Sequence, residues 1–224
     1  MVGLLYKIVD RLYSTDMGRT SDARQRILTE ACQLIHQRGY NALGVADICA
    51  AAGTPKGSFY HFFESKQALT LAVVETHWQE QHQHWQAILE ESTAPPLKRL
   101  QTLFEQTAAQ QHSIREKNGV VIGCMFANLA LELSTQDKQI QAHLETVFKA
   151  QVDLVQATLQ RAVSSKAIPK TSATRETAQA VLAQLEGRVL FAKIYNNPSL
   201  ISQDWQQILG LIHAFPVQKG ATVS

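Results

Sequence analysis

Charge is scarce in this 224-residue chain: Asp, Glu, Lys and Arg make up 18% of it, below the roughly 25% of an average soluble protein. The 21 basic and 19 acidic side chains leave a net charge of only +2, so no strong field advertises a partner. Cysteine is nearly as sparse. Cys32, Cys49 and Cys124 are an odd number in a chain too large to need staples, which argues for thiols in a reducing compartment and a cytoplasmic address. Long apolar runs are missing too. The apolar flavour of the first twenty residues is broken by Lys7, Asp10 and Arg11 before a secretory segment or an ~18-residue span can form, so no membrane anchor is expected. Leu4, Leu5, Ile8, Val9 and Leu12 share one helical face, so residues 1–20 are either a short amphipathic arm or, with Met17 as the true start, upstream reading frame.

Catalytic signatures are absent as well. There is no nucleophile elbow, phosphate-cradling glycine loop, Cys-x-x-Cys pair or His-Glu-x-x-His helix, which excludes the common enzyme classes and implies no cofactor. The run His77-Trp78-Gln79-Glu80-Gln81-His82-Gln83-His84 invites a metal reading. Its histidines are five and two apart, so they do not stack at i, i+4, and the run reads as a solvated helix face with no metal site. Trp78 and Trp85, seven apart, do share a face and read first as core.

What the chain has is helical periodicity with enough apolar residues, 45%, to build a sizeable core and exclude general disorder. All six prolines fall between helix-period stretches, and no segment alternates with period two for long enough to propose a sheet. From an N-cap at Ser21, apolar positions recur through Ile27, Leu28, Ala31, Leu34 and Ile35 to Gly39, which suits the left-handed residue ending a helix. Short helices are expected at Val45–Ala52 and Lys56–Phe62, and a long one at about 66–91. Five more follow at about 96–112, 120–134, 137–165, 174–195 and 201–215. The fold class is therefore all-α.

The segment Val45–Phe63, VADICAAAGTPKGSFYHFF, meets the steric demands of two short helices crossing steeply. Cys49 and Ala52 are small at the crossing, Gly53 can take positive φ in the turn, and Ile48, Phe59 and Phe62 can plug the space between. Ser58, Tyr60 and His61 leave the second helix on its polar side and can all donate hydrogen bonds; half-core packing for Tyr60 and a phosphate contact for His61 remain open. Thr54 offers a methyl and a hydroxyl to base edges, Lys56 a cation beside backbone N–H groups for a phosphate, and Gly57 a bare backbone that DNA can approach.

Residues 21–75 resemble the DNA-binding domain of the Tet repressor family. The likeness is carried by Gly39-Tyr40, Val45-Ala46-Asp47-Ile48, Ala52-Gly53, Pro55 through Phe63, and Ser65-Lys66. It implies a homodimer whose second short helix enters the major groove of a double-stranded, palindromic operator, with Lys66 as a second phosphate clamp. One departure stands out: many family members have threonine where Gly44 stands, which removes a capping hydroxyl and an expected phosphate contact. Residues 16–75 hold six Lys/Arg and six Asp/Glu, so binding must come from local placement of Arg24, Lys56 and Lys66 or from dimer geometry.

Downstream, helical spacing would align Cys124, Asn128 and Glu132 as a polar line on an apolar element, either a small sulfur in the core with two interhelical hydrogen bonds or a sensor. Gly123-Cys124 and the small-polar pattern through Glu132, with the lone charge Lys193, resemble a branch of the family that senses electrophiles or oxidants through cysteine. The family's long fourth helix lines an effector pocket, which brings in Trp85. Val181, Leu182, Leu185 and Val189, with Ile201, Trp205, Ile208, Ile212 and Phe215, are expected to form a four-helix dimer interface. The expected organisation is an arm or mis-assigned start at 1–20, a helix-turn-helix domain at 21–66, an effector-binding and dimerisation domain at 67–216 and a tail at 217–224. The implied function is a repressor released from operator DNA by a small molecule or by a reactive electrophile acting on Cys124. The competing class is a helical adaptor that keeps the scaffold without binding DNA.

Overall fold

The computed structural model describes residues 19–214. Residues 1–18 of the expected N-terminal arm, the tail and Phe215 lie outside the described residues, while Arg19 and Thr20, assigned to the arm, belong to the first helix. Within them nine α-helices are present and no strand: α1 (Arg19–Arg38), α2 (Val45–Ala51), α3 (Lys56–Phe62), α4 (Lys66–Gln86), α5 (Pro96–Asn118), α6 (Met125–Leu133), α7 (Lys138–Ser164), α8 (Arg175–Ile194) and α9 (Trp205–Ala214). No described helix is long and apolar enough to cross a membrane. The chain divides into two compact units, one from Met1–Gln79 with Cys124–Leu144 and the other from Glu80–Gly123 with Glu145–Ser224.

Local chemistry explains most boundaries. Gly39, at φ 83°, ends α1 and returns its N–H to the Ile35 carbonyl at 2.9 Å. Ser65 Oγ accepts from Ala68 N in the first turn of α4, and Asp137 Oδ1 accepts from Gln139 and Ile140 N, both at 3.0 Å, at the start of α7. Those backbone donors, Ile140 foremost, hold the Asp137 carboxyl below its usual range. Thr174 caps α8 by accepting from Thr177 N.

Several sequence expectations shift. Ser21 does not cap the first helix, which begins at Arg19 and holds Ser21 inside it, and α5 runs to Asn118 rather than about 112. The sixth helix begins at Met125 rather than about 120, because Gly119 and Gly123 take left-handed φ of 78° and 84° and the strand of chain between them is pinned elsewhere. The last helix begins at Trp205, after a 3-10 turn at Pro198–Ile201 and a left-handed Asp204. The long fourth helix relaxes into a π turn at Ala87–Glu91, whose loosened Leu89 and Glu90 carbonyls accept from Arg99 Nη1 at 3.1 and 3.2 Å.

In the first unit, Ile27, Leu28, Ala31 and Ile35 of α1 form the core with Leu43, Ile48, Ala52, Phe59 and Phe63. In the second, Leu100, Leu103 and Phe104 of α5 are buried, with the Phe104 ring 5.7 Å from that of Trp205. Val181, Leu182, Leu185, Val189, Ile201, Ile208 and Ile212 are all buried within the single chain, so they are not the open face the sequence suggested. The exposed apolar strip on α8 is Leu190, Phe191, Ile194 and Tyr195, with the Phe191 and Tyr195 rings stacked 6.2 Å apart.

Candidate nucleic-acid interface

The two short helices α2 and α3 are joined at Gly53, whose φ of 58° closes the turn. Ile48 and Phe59 are completely buried between them. The third plug is Phe63, not Phe62. Phe63 leaves α3 in an extended conformation, φ −136° and ψ 119°, which brings its ring 5.9 Å from Phe59 and leaves Phe62 half-buried. Arg24 of α1 lies with its guanidinium 5.3 Å from the Phe63 ring centroid, an exposed cation supported by an aromatic floor. Arg26 donates through Nε to the Ala52 carbonyl at 3.2 Å, tying α1 to the end of α2.

With Phe59 fixed inward, the outer face of α3 is defined. Lys56, Gly57, Tyr60 and His61 are exposed and Ser58 is half-buried; Tyr60, at 58% exposure, is no part of the core. A Cβ built on Gly57 meets nothing within 4 Å, so the backbone there is open to a close approach. Gly44 caps α2 with extended φ −95° and ψ 162°, and Asp47 Oδ2 accepts its N–H at 2.8 Å, half of a capping box without the hydroxyl half.

Thr54 departs from its expected role. Its hydroxyl is buried with no partner of hydrogen-bonding geometry and is turned toward Cys49, so it is not offered to a base edge. Burial pushes the Cys49 thiol up, and the nearby Thr54 hydroxyl and the Lys56 charge offset part of that push. Lys66 also departs. Its Nζ donates to the Tyr40 and Leu43 carbonyls at 3.1 and 2.9 Å and lies 3.8 Å from the Tyr40 ring centroid. Two of its three donors thus fix the turn after α1, leaving one for a phosphate, and desolvation lowers its pKa while Glu132 acts in the opposite sense.

Glu132 is expected in line with Cys124, either as an interhelical hydrogen-bonding group or on the face of a sensor. Its carboxylate instead accepts from Tyr40 N at 2.8 Å and Asn41 N at 2.6 Å, inside the DNA-binding unit. Nothing in its sequence neighbourhood signals a partner ninety residues upstream. Cys124 is the half-buried N-cap of α6, its carbonyl accepting from Asn128 N at 3.0 Å, while its thiol makes no capping bond. All three cysteines are thiols. Lys193 stands exposed among Phe191, Ile194 and Tyr195 in the second unit, and Trp85 is buried there. That unit also has a groove of about 380 Å³ lined by His82, Glu90, Ala150, Asp153, Leu154 and Ala157.

The histidine run is not the solvated face expected of it. The His77 ring lies 5.2 Å from Phe126 and 6.2 Å from His36, and Trp78 lies 6.2 Å from Phe126. Burial, and then the neighbouring His36, push the His77 pKa down to about 3, although an edge of the ring still reaches solvent. Burial also lowers His84. Among the described residues no group of three His, Cys, Asp or Glu side chains is placed to hold a metal ion.

Residues 27–73 match the family model of bacterial regulatory proteins, tetR family, and residues 96–208 match that of the tetracyclin repressor-like C-terminal domain. The HTH-type transcriptional repressor DhaR of Mycobacterium sp. (strain GP1) is 30% identical over 84% of this chain and 90% of its own. The HTH-type transcriptional repressor NemR of Escherichia coli K12 is 27% identical over 77% of this chain and 85% of its own. The crystal structure of E. coli NemR in its reduced form superposes with a TM-score of 0.75 at 25% identity, covering 84% of this chain and 96% of that one.

Proposed function

The chain belongs to the TetR family of bacterial regulatory proteins, DNA-binding transcriptional regulators rather than enzymes, and from that premise we propose that it is a homodimeric repressor of a palindromic operator. The observation that carries the reading is the outer face of α3, where Lys56, Gly57, Ser58, Tyr60 and His61 stand over a completely buried Phe59. Such a face presents hydrogen-bond donors and one cation on a rigid base, which suits base edges and phosphates in a major groove. Arg24 extends it as a phosphate contact from α1. A second copy packed on Leu190, Phe191, Ile194 and Tyr195 would remove the exposed apolar strip from water, and a dimer that reads a palindrome needs its two α3 helices at the ~34–36 Å repeat of successive major grooves.

Release requires only that an effector prefer another spacing of the two α3 helices, since a tenfold loss of DNA affinity corresponds to ~1.4 kcal/mol of differential binding. The effector is a small molecule or an electrophile adding to Cys124. A half-buried thiol at the N-cap of α6 supports the second form. The description of a solved relative as reduced is in keeping with it. The test is a gel shift with DNA from upstream of the chain's own gene, read before and after limited hypochlorite, on the parent and Cys124→Ser. A specific shift is expected, with release blunted in the variant. No shift at low salt from an intact dimer would leave a helical adaptor as the reading, and equal release would assign Cys124 to packing alone.

A further inference from the structure

The turn joining α1 to α2 is gripped by opposite charges from two different helices. From α6, Glu132 accepts the N–H groups of Tyr40 and Asn41 at 2.8 and 2.6 Å. From α4, Lys66 donates to the carbonyls of Tyr40 and Leu43. An exposed turn can leave such groups to water, so a bidentate carboxylate is more than backbone satisfaction demands. The site has been shaped to admit it: a Cβ on Gly39 would stand 3.0 Å from Glu132 Oε2, and the same residue already needs a left-handed φ of 83°. A carboxylate at the C-terminal end of α1 also faces the negative pole of that helix, so the two N–H bonds and the Lys66 charge must hold it there.

The turn leads directly into the reading head. Leu43 is buried and Gly44 caps α2, while Arg26 holds the far end of α2 to α1 through the Ala52 carbonyl. A displacement of residues 40–43 is therefore passed to α2 and, through Ile48 and Phe59, to α3. α6 buries Met125, Phe126, Leu129 and Leu133 and is a packed element rather than a loose segment. In the second unit, the chain that precedes it is pinned by two carboxamides. Gln111, buried, exchanges hydrogen bonds with both polar groups of Gly123 at 3.0 and 3.2 Å. Asn196, at the end of α8, accepts from Val121 N at 2.9 Å and donates to the Gly119 carbonyl at 3.0 Å.

We propose that Glu132 is the positioning residue by which α6 sets the α1–α2 turn, and with it the α2–α3 pair, so that an event that shifts α6 changes DNA affinity. The inference rests on the reading of α3 as the DNA-contacting helix. It assigns the coupling to one carboxylate and two backbone amides. Linkage makes the coupling reciprocal: if α6 biases α3, DNA bound at α3 must quieten α6.

The full-length parent is first used to enrich a duplex from a random-sequence DNA library, and that duplex then serves every variant. Glu132→Gln keeps the shape but turns an N–H donor toward one of the two amides. It is expected to bind the duplex about fivefold or more weakly and to speed hydrogen exchange at Tyr40 and Asn41 by about tenfold or more. In the parent, adding the duplex should slow exchange across residues 125–133, and in Glu132→Gln it should not. A merely structural role would not remove that distant protection. Leu131→Ala, at the adjacent and 83% exposed position, should behave as the parent. Should Glu132→Gln fail to fold, Glu132→Asp, which keeps the charge but is one methylene too short to span both amides, decides by the same two readings. Faster exchange at Tyr40 and Asn41 with unchanged DNA affinity and intact protection of α6 would overturn the coupling. Enrichment of no duplex by the parent would overturn the DNA-contacting premise itself.

Discussion

Mild acid should destabilise this protein through His77. The ring sits against Phe126 and His36, with its pKa pushed down to about 3 from an ordinary 6.5. In the pH interval between those values the unfolded chain binds a proton at His77 that the folded chain does not, so stability rises with pH there and falls as pH falls. The contribution is fully present above about 6.5 and is lost progressively down to about 3. At pH 5 the unfolded state gains about 1.5 pH units of protonation free energy, or about 2 kcal/mol at 1.36 kcal/mol per unit. His77→Phe keeps an aromatic body against Phe126 and deletes the proton. Urea denaturation followed by tryptophan fluorescence, at pH 7.5 and pH 5, should show the parent losing about 2 kcal/mol more than the variant between the two pH values. Groups remote from the site contribute alike to both proteins, so the difference reports His77 together with its coupling to the neighbouring His36. Equal losses would mean that the His77 site admits the proton in the folded state and that its packing on Phe126 does not exclude charge.

Tyr60→Ala should leave the melting temperature nearly unchanged, because the ring is 58% exposed, yet weaken operator binding by about 1–3 kcal/mol in a fluorescence anisotropy titration; Lys56→Ala should weaken it too and reduce the salt slope by about one phosphate contact. Phe59→Ala, by contrast, removes a completely buried ring and should cost about 3–5 kcal/mol of stability in chemical denaturation, with DNA binding lost as a consequence. Phe191→Glu places a charge in the exposed strip of α8 and should convert the proposed dimer to monomer in light scattering, with little effect on helix content by circular dichroism. Gly44→Ser supplies the missing capping hydroxyl and should raise stability by only about 0.3 kcal/mol, glycine being nearly as good an N-cap, provided the Asp47 carboxylate, 3.2 Å from the new Cβ, gives by a few tenths of an ångström.

Helix number, order and most boundaries were legible from apolar periodicity broken by Gly39 and the prolines. The caps at Ser65, Asp137 and Thr174 are equally short-range but emerge only in the structure, and Ser21, read as a cap, lies inside α1. The α2–α3 crossing was legible because its steric recipe is contained in Val45–Phe63. Errors began where a side chain's fate depends on something far along the chain. Phe62 and Phe63 are equivalent in composition, and only the extended backbone at Phe63 decides which of them enters the core. Helical periodicity marks Val181, Leu182 and Leu185 as apolar, but whether a partner copy or the chain's own helices cover them is a question of topology; here the chain covers them, and the strip left open is the next turns of the same helix. The same limit misplaced the polar residues. Lys66 and Glu132 looked like a surface clamp and a member of the Cys124 line because a lone charge in a sequence carries no address. Their address is a turn of four residues, and its two charged holders lie at opposite ends of a 66-residue interval that no local pattern spans. The residues proposed to contact DNA rest on type and spacing, and of them Lys56, Gly57, Tyr60 and His61 lie on the exposed face of α3, whereas Thr54 and Lys66 are engaged elsewhere. Residues that transmit a signal to that face are selected by proximity alone, and proximity is what the folded chain adds.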